Sequence, residues 1–228
     1  MMRMNVFGPP REWPDQDLIA FSDVFDAGLV LDAYRSGVFP MPLHEAGFGQ
    51  TGWWSPTRRG VLPLDALRVT RSLRKSAKHY TTTVDAAFEQ VLDACGDPSR
   101  PFGWIDDSIR QVYTQLFDAG YCHSVETWDG EGRLVGGLYG VGLGGLFAGE
   151  SMFHDPEHGR DASKVALLRL VEVLSDDYAE ARIIDTQWQT PHLASLGVIE
   201  IDRGEYLELL DDVLRVPEPR WPTRRDDA

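Results

Sequence analysis

The apolar residues of this chain fall into short periodic runs that predict a mixed α and β structure. Alternating or continuously apolar runs with flanking turn residues indicate strands. These runs lie at residues 81–84, 123–128, 134–141, 146–153, 183–187 and 198–201. Runs with helical spacing, bounded by capping residues or glycine, indicate helices. These lie at residues 28–37, 86–95, 107–119, 163–174, 191–196 and 204–214.

Prolines, glycines and acids mark the boundaries of several elements. Pro40 and Pro42 follow the first helix and argue against both a helix and a strand there. Asp85 is expected to cap the helix at 86–95. We expect three parts, namely a small N-terminal lobe (residues 1–60), a larger domain (residues 61–216) and a loosely ordered, charged and proline-rich tail (residues 217–228).

The segment at 182–197 carries the clearest candidate chemistry. Ile183 and Ile184 predict a buried strand that delivers Asp185 at its end, with Gln187 on the same face if the strand continues. Thr190-Pro191 is a typical helix start, and Gly197 is placed to end that helix. An acid beside a carboxamide can hold or activate an amine. The alternative is that Asp185 caps the next segment and Gln187 is merely exposed.

Glu150 stands out because it lies within an apolar strand that also contains Gly149. Glycine inside a strand suggests a bulge or a close approach of the backbone to a ligand. A buried acid is costly unless it is paired. We therefore expect Glu150 to be either an ion-pair partner or a ligand contact.

Residues 68–78 form a basic run with no acid. Helical spacing places its side chains on one face, which indicates either contact with a polyanion or an ordinary solvated surface. Upstream, adjacent Trp53 and Trp54 would point to opposite faces of an extended segment. The alternatives are that one packs in the core while the other presents an aromatic surface for stacking, or that both pack in the core or at the lobe interface.

Composition limits the classes of function. The net charge of −14 argues against non-specific nucleic-acid binding by the whole surface, although a local basic patch remains compatible with it. No apolar run is long enough to cross a bilayer, and no secretory signal is present, so a cytoplasmic protein without membrane contact is expected. Cys95 and Cys122 form no CxxC pair, and His154, Asp155 and His158 lack a metal-binding pattern. We expect no metal, and the chain contains neither a Walker loop nor GxGxxG.

Several motifs occur in the order typical of one known family. They are Trp53-Trp-Ser-Pro56, Arg71-Ser-Leu-Arg-Lys75, Leu134-Val-Gly-Gly-Leu-Tyr-Gly-Val141, Phe147-Ala-Gly-Glu-Ser-Met-Phe153, Ala162-Ser-Lys-Val-Ala-Leu167, Ile184-Asp-Thr-Gln187 and His192-Leu-Ala-Ser-Leu-Gly197. With them the chain resembles the bacterial leucyl/phenylalanyl-tRNA–protein transferases from about residue 33 to about residue 210. The resemblance implies an α+β fold, with a small N-terminal lobe and a GNAT-like acyltransferase domain whose mixed sheet is flanked by helices.

The resemblance also implies an activity. Such enzymes move Leu or Phe from aminoacyl-tRNA to the N-terminal amine of proteins that begin with Arg or Lys, which creates an N-degron for protein degradation. No cofactor is implied, because the tRNA ester is already activated. Aminoacyl-tRNA and these proteins would be the partners, and the enzyme is expected to act as a monomer.

By the same resemblance, Asp185, Gln187 and Glu150 form the catalytic group. The apolar pocket for the donor side chain is expected to be lined by Leu138, Phe147, Leu167, Leu170, Leu174 and Ile184. Trp53 or Trp54, with Trp104, is expected to stack on the terminal adenosine of the tRNA. The expected tRNA-binding residues hold backbone phosphates: Arg68, Arg71, Arg74, Lys75 and Lys78.

The chain departs from the family pattern at three places. Residues 21–24 read Phe-Ser-Asp-Val where the family has Gly-Gly-Asp-Leu, Met41 replaces a tryptophan, and Leu170 replaces an aromatic residue. The first two lie in the N-terminal lobe, and the third bears on the choice between Leu and Phe.

Two other functions remain as alternatives. A CoA-dependent GNAT-type acetyltransferase would need a glycine-rich turn before the long helix, where this chain has an acid. A binding module without activity would not need Asp185, Gln187 and Glu150.

Overall fold

The computed structural model describes residues 6–43, 50–98 and 105–222. Within these ranges, ten strands form two sheets. In chain order the strands are β1 (Leu18–Ser22), β2 (Phe39–Pro42), β3 (Thr51–Trp54), β4 (Arg58–Pro63), β5 (Thr81–Val84), β6 (Cys122–Trp128), β7 (Leu134–Leu143), β8 (Leu146–His154), β9 (Ile183–Gln187) and β10 (Ile199–Asp202). The small sheet has the order β1-β3-β2, and the large sheet has the order β10-β4-β9-β8-β7-β6-β5.

Seven α-helices pack around these sheets in the described ranges. They are α1 (Ala27–Arg35), α2 (Arg71–Ala77), α3 (Phe88–Cys95), α4 (Asp107–Asp118), α5 (Ala162–Leu174), α6 (Pro191–Leu196) and α7 (Arg203–Val213). β8 and β9 pair in parallel, and the other neighbours in the large sheet pair antiparallel. The fold is therefore α+β with a mixed sheet and a small N-terminal sheet, as the sequence predicted. None of the described helices is long and apolar enough to cross a membrane.

The core is divided between the two faces of the large sheet. On one face, α1, α3 and α4 contribute apolar side chains such as Val30, Phe88 and Tyr113. On the other face, α5 packs Leu167 and Leu170 against the sheet. α7 covers a third, smaller cluster beside β4. The parallel contact of β8 with β9 places Ala148 beside Asp185, and Glu150 and Gln187 follow two positions later on these neighbouring strands.

The prediction that Pro40 and Pro42 exclude a strand is wrong. Both lie in β2, which is an edge strand of the small sheet and pairs with β3 alone. Proline is tolerated at an edge, because only one side of the strand takes part in the hydrogen-bonded ladder.

Asp85 does not cap α3, contrary to prediction. The helix begins at Phe88, and Asp85 has a left-handed backbone with φ of 55°. One carboxylate oxygen accepts a hydrogen bond from the Ser124 N–H at 2.8 Å, and the other lies 2.7 Å from Nδ1 of His123. The acid is thus used to join the start of α3 to β6.

Besides β2, the strands β1 and β4 were not predicted from the sequence, and β3 was considered only as an extended segment at Trp53 and Trp54. β1 is irregular where it pairs with Trp53 and Trp54, and β4 begins with the charged pair Arg58-Arg59, which hides its apolar character. β4 matters for function because it lies between β10 and β9 in the large sheet. It starts at Arg58, so the large sheet reaches into the predicted lobe of residues 1–60. The division into domains stays a prediction.

The beginning of the predicted loose tail is packed against the sheet. Pro219 is buried, and the Trp221 indole stacks on the His123 ring with a centroid distance of 3.7 Å. An aromatic side chain that buries its face gains enough apolar contact to hold such a segment in place. Residues 217–222 therefore differ from the expectation, and residues 223–228 lie outside the described ranges.

The helix that follows the 182–187 strand has the predicted ends. Thr190 accepts a hydrogen bond from the Leu193 N–H, Pro191 is the first helical residue, and Gly197 ends α6 with φ of 112°. A Cβ at Gly197 would also collide with the carbonyl oxygen of Ala66. Glycine is required here both by the backbone conformation and by the close approach of another segment.

We expect Gly197→Ala to lower the free energy of unfolding by about 2 kcal/mol or more, because it combines a strained φ with a backbone collision. Gly204→Ala is the matched control, since it lies in the first turn of α7 with nothing near the added Cβ. The control should leave stability unchanged or raise it slightly. Urea denaturation of both variants checks this, and equal stabilities would contradict it.

Candidate active site

Asp185 lies at the centre of a buried polar cluster. It is fully buried in β9, next to β4 in the sheet. Arg59 of β4 donates two hydrogen bonds to its carboxylate, from Nε at 2.8 Å and from Nη2 at 2.6 Å. The Tyr206 hydroxyl of α7 donates a third at 2.8 Å. This bidentate geometry is typical of a strong charge-assisted pair.

The same carboxylate fixes the backbone of Gln187. The Gln187 N–H donates to Oδ1 of Asp185 at 2.9 Å, and Gln187 has φ of 60°. A glutamine in the left-handed region is uncommon and needs support from its surroundings. The predicted placement of the two residues on one face of a regular strand is therefore altered. Gln187 faces a cavity, whereas Asp185 faces Arg59 and Tyr206.

Glu150 faces the same cavity from β8. Its carboxylate accepts hydrogen bonds from the hydroxyls of Tyr34 at 2.6 Å and Tyr113 at 2.9 Å. The side-chain amide of Gln187 lies within 3.4 Å of it. Burial raises the pKa of Glu150 to about 7, and the charge of Asp185 adds to this, while the two tyrosines and Arg59 oppose it. Glu150 can therefore exchange a proton near neutral pH.

Arg59 was not identified from the sequence. It is 1% exposed and stacks its guanidinium over the rings of Tyr206 and Phe39, at 4.4 and 4.9 Å. Burial alone would lower the pKa of Arg59, but the charge of Asp185 outweighs burial and raises it. The only signal in the sequence was an arginine two positions before the apolar run Val61-Leu62, where a strand would bury it.

Tyr34, Tyr113 and Tyr206 were missed as well. Burial raises the pKa of all three hydroxyls well above the ordinary value, so they stay protonated and act as donors to the two acids. In sequence each looks like an apolar helix residue. Only the tertiary structure shows that their hydroxyls meet Glu150 and Asp185.

An apolar cavity of about 160 Å³ opens beside Glu150 and Gln187. Its walls include five of the six predicted pocket residues, namely Leu138, Phe147, Leu167, Leu170 and Ile184. Leu174 belongs to the same apolar cluster but does not line the cavity. A dry cavity of about 150 Å³ can hold a benzene ring. This cavity is thus large enough for one branched or aromatic side chain.

The predicted tryptophans have different positions. Trp53 is 1% exposed and packs against Phe7, with its N–H donated to Ser22, so its ring offers no free face. Trp54 is half-buried and meets Trp188 edge to face at 5.9 Å. Trp104 lies outside the described residues. Of the described pair, Trp54 is the one with an accessible ring.

The basic run forms α2 and its flanks. Its five predicted residues are exposed, and four of them surround one open depression: Arg71, Arg74, Lys75 and Lys78. Leu73 buries the opposite face of the helix. Within the described ranges, no carboxylate forms a salt bridge with any of the five. Their charge is therefore available to a polyanion.

Comparison with known proteins identifies the family. A profile described as Leucyl/phenylalanyl-tRNA protein transferase matches residues 61–211, and the profile of that transferase's N-terminal domain matches residues 23–57. The chain belongs to the leucyl/phenylalanyl-tRNA protein transferase family. Asp185, Gln187, Glu150 and the cavity all lie within the first match.

Relatives named as leucyl/phenylalanyl-tRNA–protein transferases match over most of their length. The one from Rhodospirillum rubrum is 47% identical, over 82% of this chain and 87% of its own. The one from Afipia carboxidovorans is 45% identical, over 83% and 82%. The one from Thiobacillus denitrificans is 44% identical, over 90% and 88%. A solved structure of L-PGS from Bacillus licheniformis aligns with 12% identity and a TM-score of 0.36, over 72% of this chain and 54% of its own, which is too weak to bear on the chemistry.

The acetyltransferase alternative is not favoured by the start of α5. In this transferase, Asp161 stands at that helix start with φ of 63° and binds Ser76 and Lys164 through its carboxylate. The Lys164 hydrogen bond lowers the pKa of Asp161, so the acid is ionised at neutral pH. A negative charge at this position would repel the pyrophosphate of coenzyme A. In the described part of the chain, no cluster of three potential metal ligands occurs.

We expect Arg59→Met to lower the free energy of unfolding by about 3–5 kcal/mol, because it leaves the Asp185 carboxylate buried without its partner. Arg58→Met is the matched control. Arg58 pairs with Asp202 on the surface, where the side chains are 53% and 73% exposed, and such pairs contribute about 1 kcal/mol or less. Denaturant titration compares the two variants, and similar losses would contradict the central role of the buried pair.

Glu150 should make stability depend on pH. Its pKa is higher in the folded chain, about 7, than the ordinary value of 4.5. The stabilising contribution of the protonated acid is thus complete below 4.5 and is lost as pH rises through about 7. We expect Glu150→Gln to gain stability relative to the parent over this range. Unfolding curves at several pH values test this, and a constant difference would show that Glu150 has an unshifted pKa.

Proposed function

We propose that this chain transfers leucine or phenylalanine from aminoacyl-tRNA to the N-terminal amine of proteins that begin with Arg or Lys. One observation carries the proposal, which is the apolar cavity that opens directly beside Glu150 and Gln187. The cavity offers a place for the donor side chain, and the two polar residues stand where its amino and ester groups would lie. Membership of the transferase family supports the same reaction.

The donor side chain would enter the cavity formed by Leu138, Phe147 and Ile184 among others. An apolar cavity disfavours charged and strongly polar side chains, because no hydrogen bonds there compensate the free energy lost on desolvation. It separates leucine from phenylalanine only weakly. Leu170, at a position where we expected an aromatic residue, leaves additional room in the wall.

Glu150 would contact the ammonium group of the donor or the cationic acceptor. Gln187 would then bind the attacking amine or the ester carbonyl, since its amide both donates and accepts hydrogen bonds. Asp185 does not line the cavity, so we assign it the role of a positioning residue that acts through the Gln187 backbone. Orientation of this kind can supply much of the rate of a transfer reaction.

The chemical step balances without a cofactor. The neutral amine nitrogen attacks the ester carbonyl carbon, and a carbon–nitrogen bond forms. The bond from that carbon to the ribose oxygen breaks, and the proton lost by the amine ends on the freed ribose hydroxyl. The protein contributes position and polar stabilisation of the oxyanion.

The exposed basic face of α2 would hold tRNA phosphates, and Trp54 would stack on the terminal adenosine. Phosphate contacts position a nucleic acid without reading its sequence. The overall charge of −14 opposes such binding, so we expect it to be weak and sensitive to salt. The proposal further includes action as a monomer in the cytoplasm, where the product would serve as an N-degron.

The direct test is a transfer assay with labelled Leu-tRNA or Phe-tRNA. One acceptor peptide begins with Arg, and a matched peptide begins with Ala. Label on the Arg peptide alone supports the reaction and the acceptor rule together. Absence of label on both peptides, with acylated tRNA still bound, would contradict the proposal and leave a binding module.

We expect Gln187→Ala to lower kcat/KM for transfer by about 100-fold or more, in line with the loss of a polar group that stabilises a transition state. Gln189→Ala is the matched control, because Gln189 lies two residues away and donates to the Val198 carbonyl. The control should keep most of the activity. Equal activity of the two variants would remove Gln187 from the reaction.

We expect the triple variant Arg71→Glu, Arg74→Glu, Lys75→Glu to bind tRNA more weakly. Its affinity should also fall less steeply with salt concentration, because fewer phosphate contacts release fewer counterions. Each lost contact should reduce the slope by about 0.7–0.9. The matched control reverses three exposed arginines outside the basic run, Arg11→Glu, Arg58→Glu and Arg215→Glu, with the same change in net charge. If the triple variant and the control behave alike, the basic face is only a solvated surface.

A further inference from the structure

Trp221, in the C-terminal segment, lies beside a wall of the apolar cavity. Trp221 lies beyond residues 61–211, the range that the family profile matches. Its half-buried indole meets the ring of Phe147 at a centroid distance of 6.0 Å and an angle of 50°. Phe147 lines the cavity, whereas Trp221 does not. Trp221 therefore contacts a residue of the cavity wall without lining the cavity itself.

The indole of Trp221 also stacks on the ring of His123. The two rings are nearly parallel, with an angle of 16° and a centroid distance of 3.7 Å. The histidine is 6% exposed, and its Nε2 has no hydrogen-bond partner among the described residues. The ring thus serves as a flat packing surface at this place.

Asp85 holds His123 in turn. Its carboxylate binds the His123 Nδ1 and the Ser124 N–H, and its backbone is left-handed. A residue other than glycine keeps such a conformation only where its surroundings over-determine it.

Gly142 leaves room for the rings of Trp221 and His123. It is paired with Phe147 across β7 and β8. A Cβ at this position would approach Trp221 to 3.2 Å and His123 to 3.3 Å. A larger residue would push the stack away from the sheet. The strand, the stack and the cavity wall are therefore packed against one another with little free space.

We propose that Trp221 is a positioning residue that determines donor specificity by holding Phe147 in the wall of the cavity. This inference rests on the proposed function, because it assigns the cavity to the donor side chain. Protein interiors are close-packed, so removal of an indole leaves a void into which neighbouring side chains partly relax. A Phe147 ring that moves toward this void enlarges the cavity and favours the larger donor.

The test compares donors rather than total activity. The kcat/KM for Phe-tRNA and for Leu-tRNA is measured with one Arg peptide, for the full-length chain and for Trp221→Ala and Trp221→Phe. We expect the ratio of Phe to Leu to rise about tenfold in the alanine variant and about threefold in the phenylalanine variant. The ratio does not depend on the fraction of folded enzyme, because both donors meet the same preparation.

Trp13→Ala is the control for the loss of a partly buried tryptophan. Trp13 donates its N–H to the Phe7 carbonyl and does not line the cavity. This variant should keep the parental ratio. If Trp221→Ala does not fold, the ratio of the phenylalanine variant decides.

An unchanged ratio in both Trp221 variants, or an equal loss for both donors, would overturn the inference and leave Trp221 with a purely structural role. Failure of the proposed function gives a different result, since the parental chain would then transfer neither donor.

Discussion

The Arg59–Asp185 ion pair is the interaction on which the site depends. It joins β4 to β9 inside the large sheet, and both side chains are almost completely buried. Burial of two charges is unfavourable unless the geometry is good and the remaining hydrogen bonds are made. Both conditions hold, because the contact is bidentate and Tyr206 and the Gln187 N–H complete the coordination of the carboxylate. The pair therefore fixes the backbone that presents Gln187 to the cavity.

The two acids of the site have different environments and different roles. Asp185 is held by two hydrogen bonds from Arg59 and in turn holds the Gln187 backbone. Glu150 has mainly neutral tyrosine donors, and burial raises its pKa to about 7. A group with this pKa can change its charge when a substrate amine arrives. The fold achieves this separation by placing the acids on neighbouring strands while their side chains meet helices from different parts of the chain.

The sequence predicted local structure well wherever one segment carried its own signals. The 182–197 segment shows this, because the apolar pair, Thr190-Pro191 and Gly197 specify a strand, a cap and a helix end without help from the rest of the chain. Pro40, Pro42 and Asp85 were misjudged for the opposite reason. An edge position made the prolines acceptable in β2, and a hydrogen bond to β6 diverted Asp85 from capping. The tyrosines and Arg59 were missed because only tertiary contacts reveal partners that lie far apart in sequence.

We propose that Asp185 acts on transfer through Gln187, and a double-mutant cycle tests this coupling. The kcat/KM for transfer is measured for Asp185→Asn, for Gln187→Ala and for the double variant, each corrected for the folded fraction. Residues that act as a unit give losses that do not add. We predict that the double variant is no slower than Gln187→Ala alone. Losses that multiply in the double variant would overturn this proposal, because they would show that Asp185 contributes independently of Gln187.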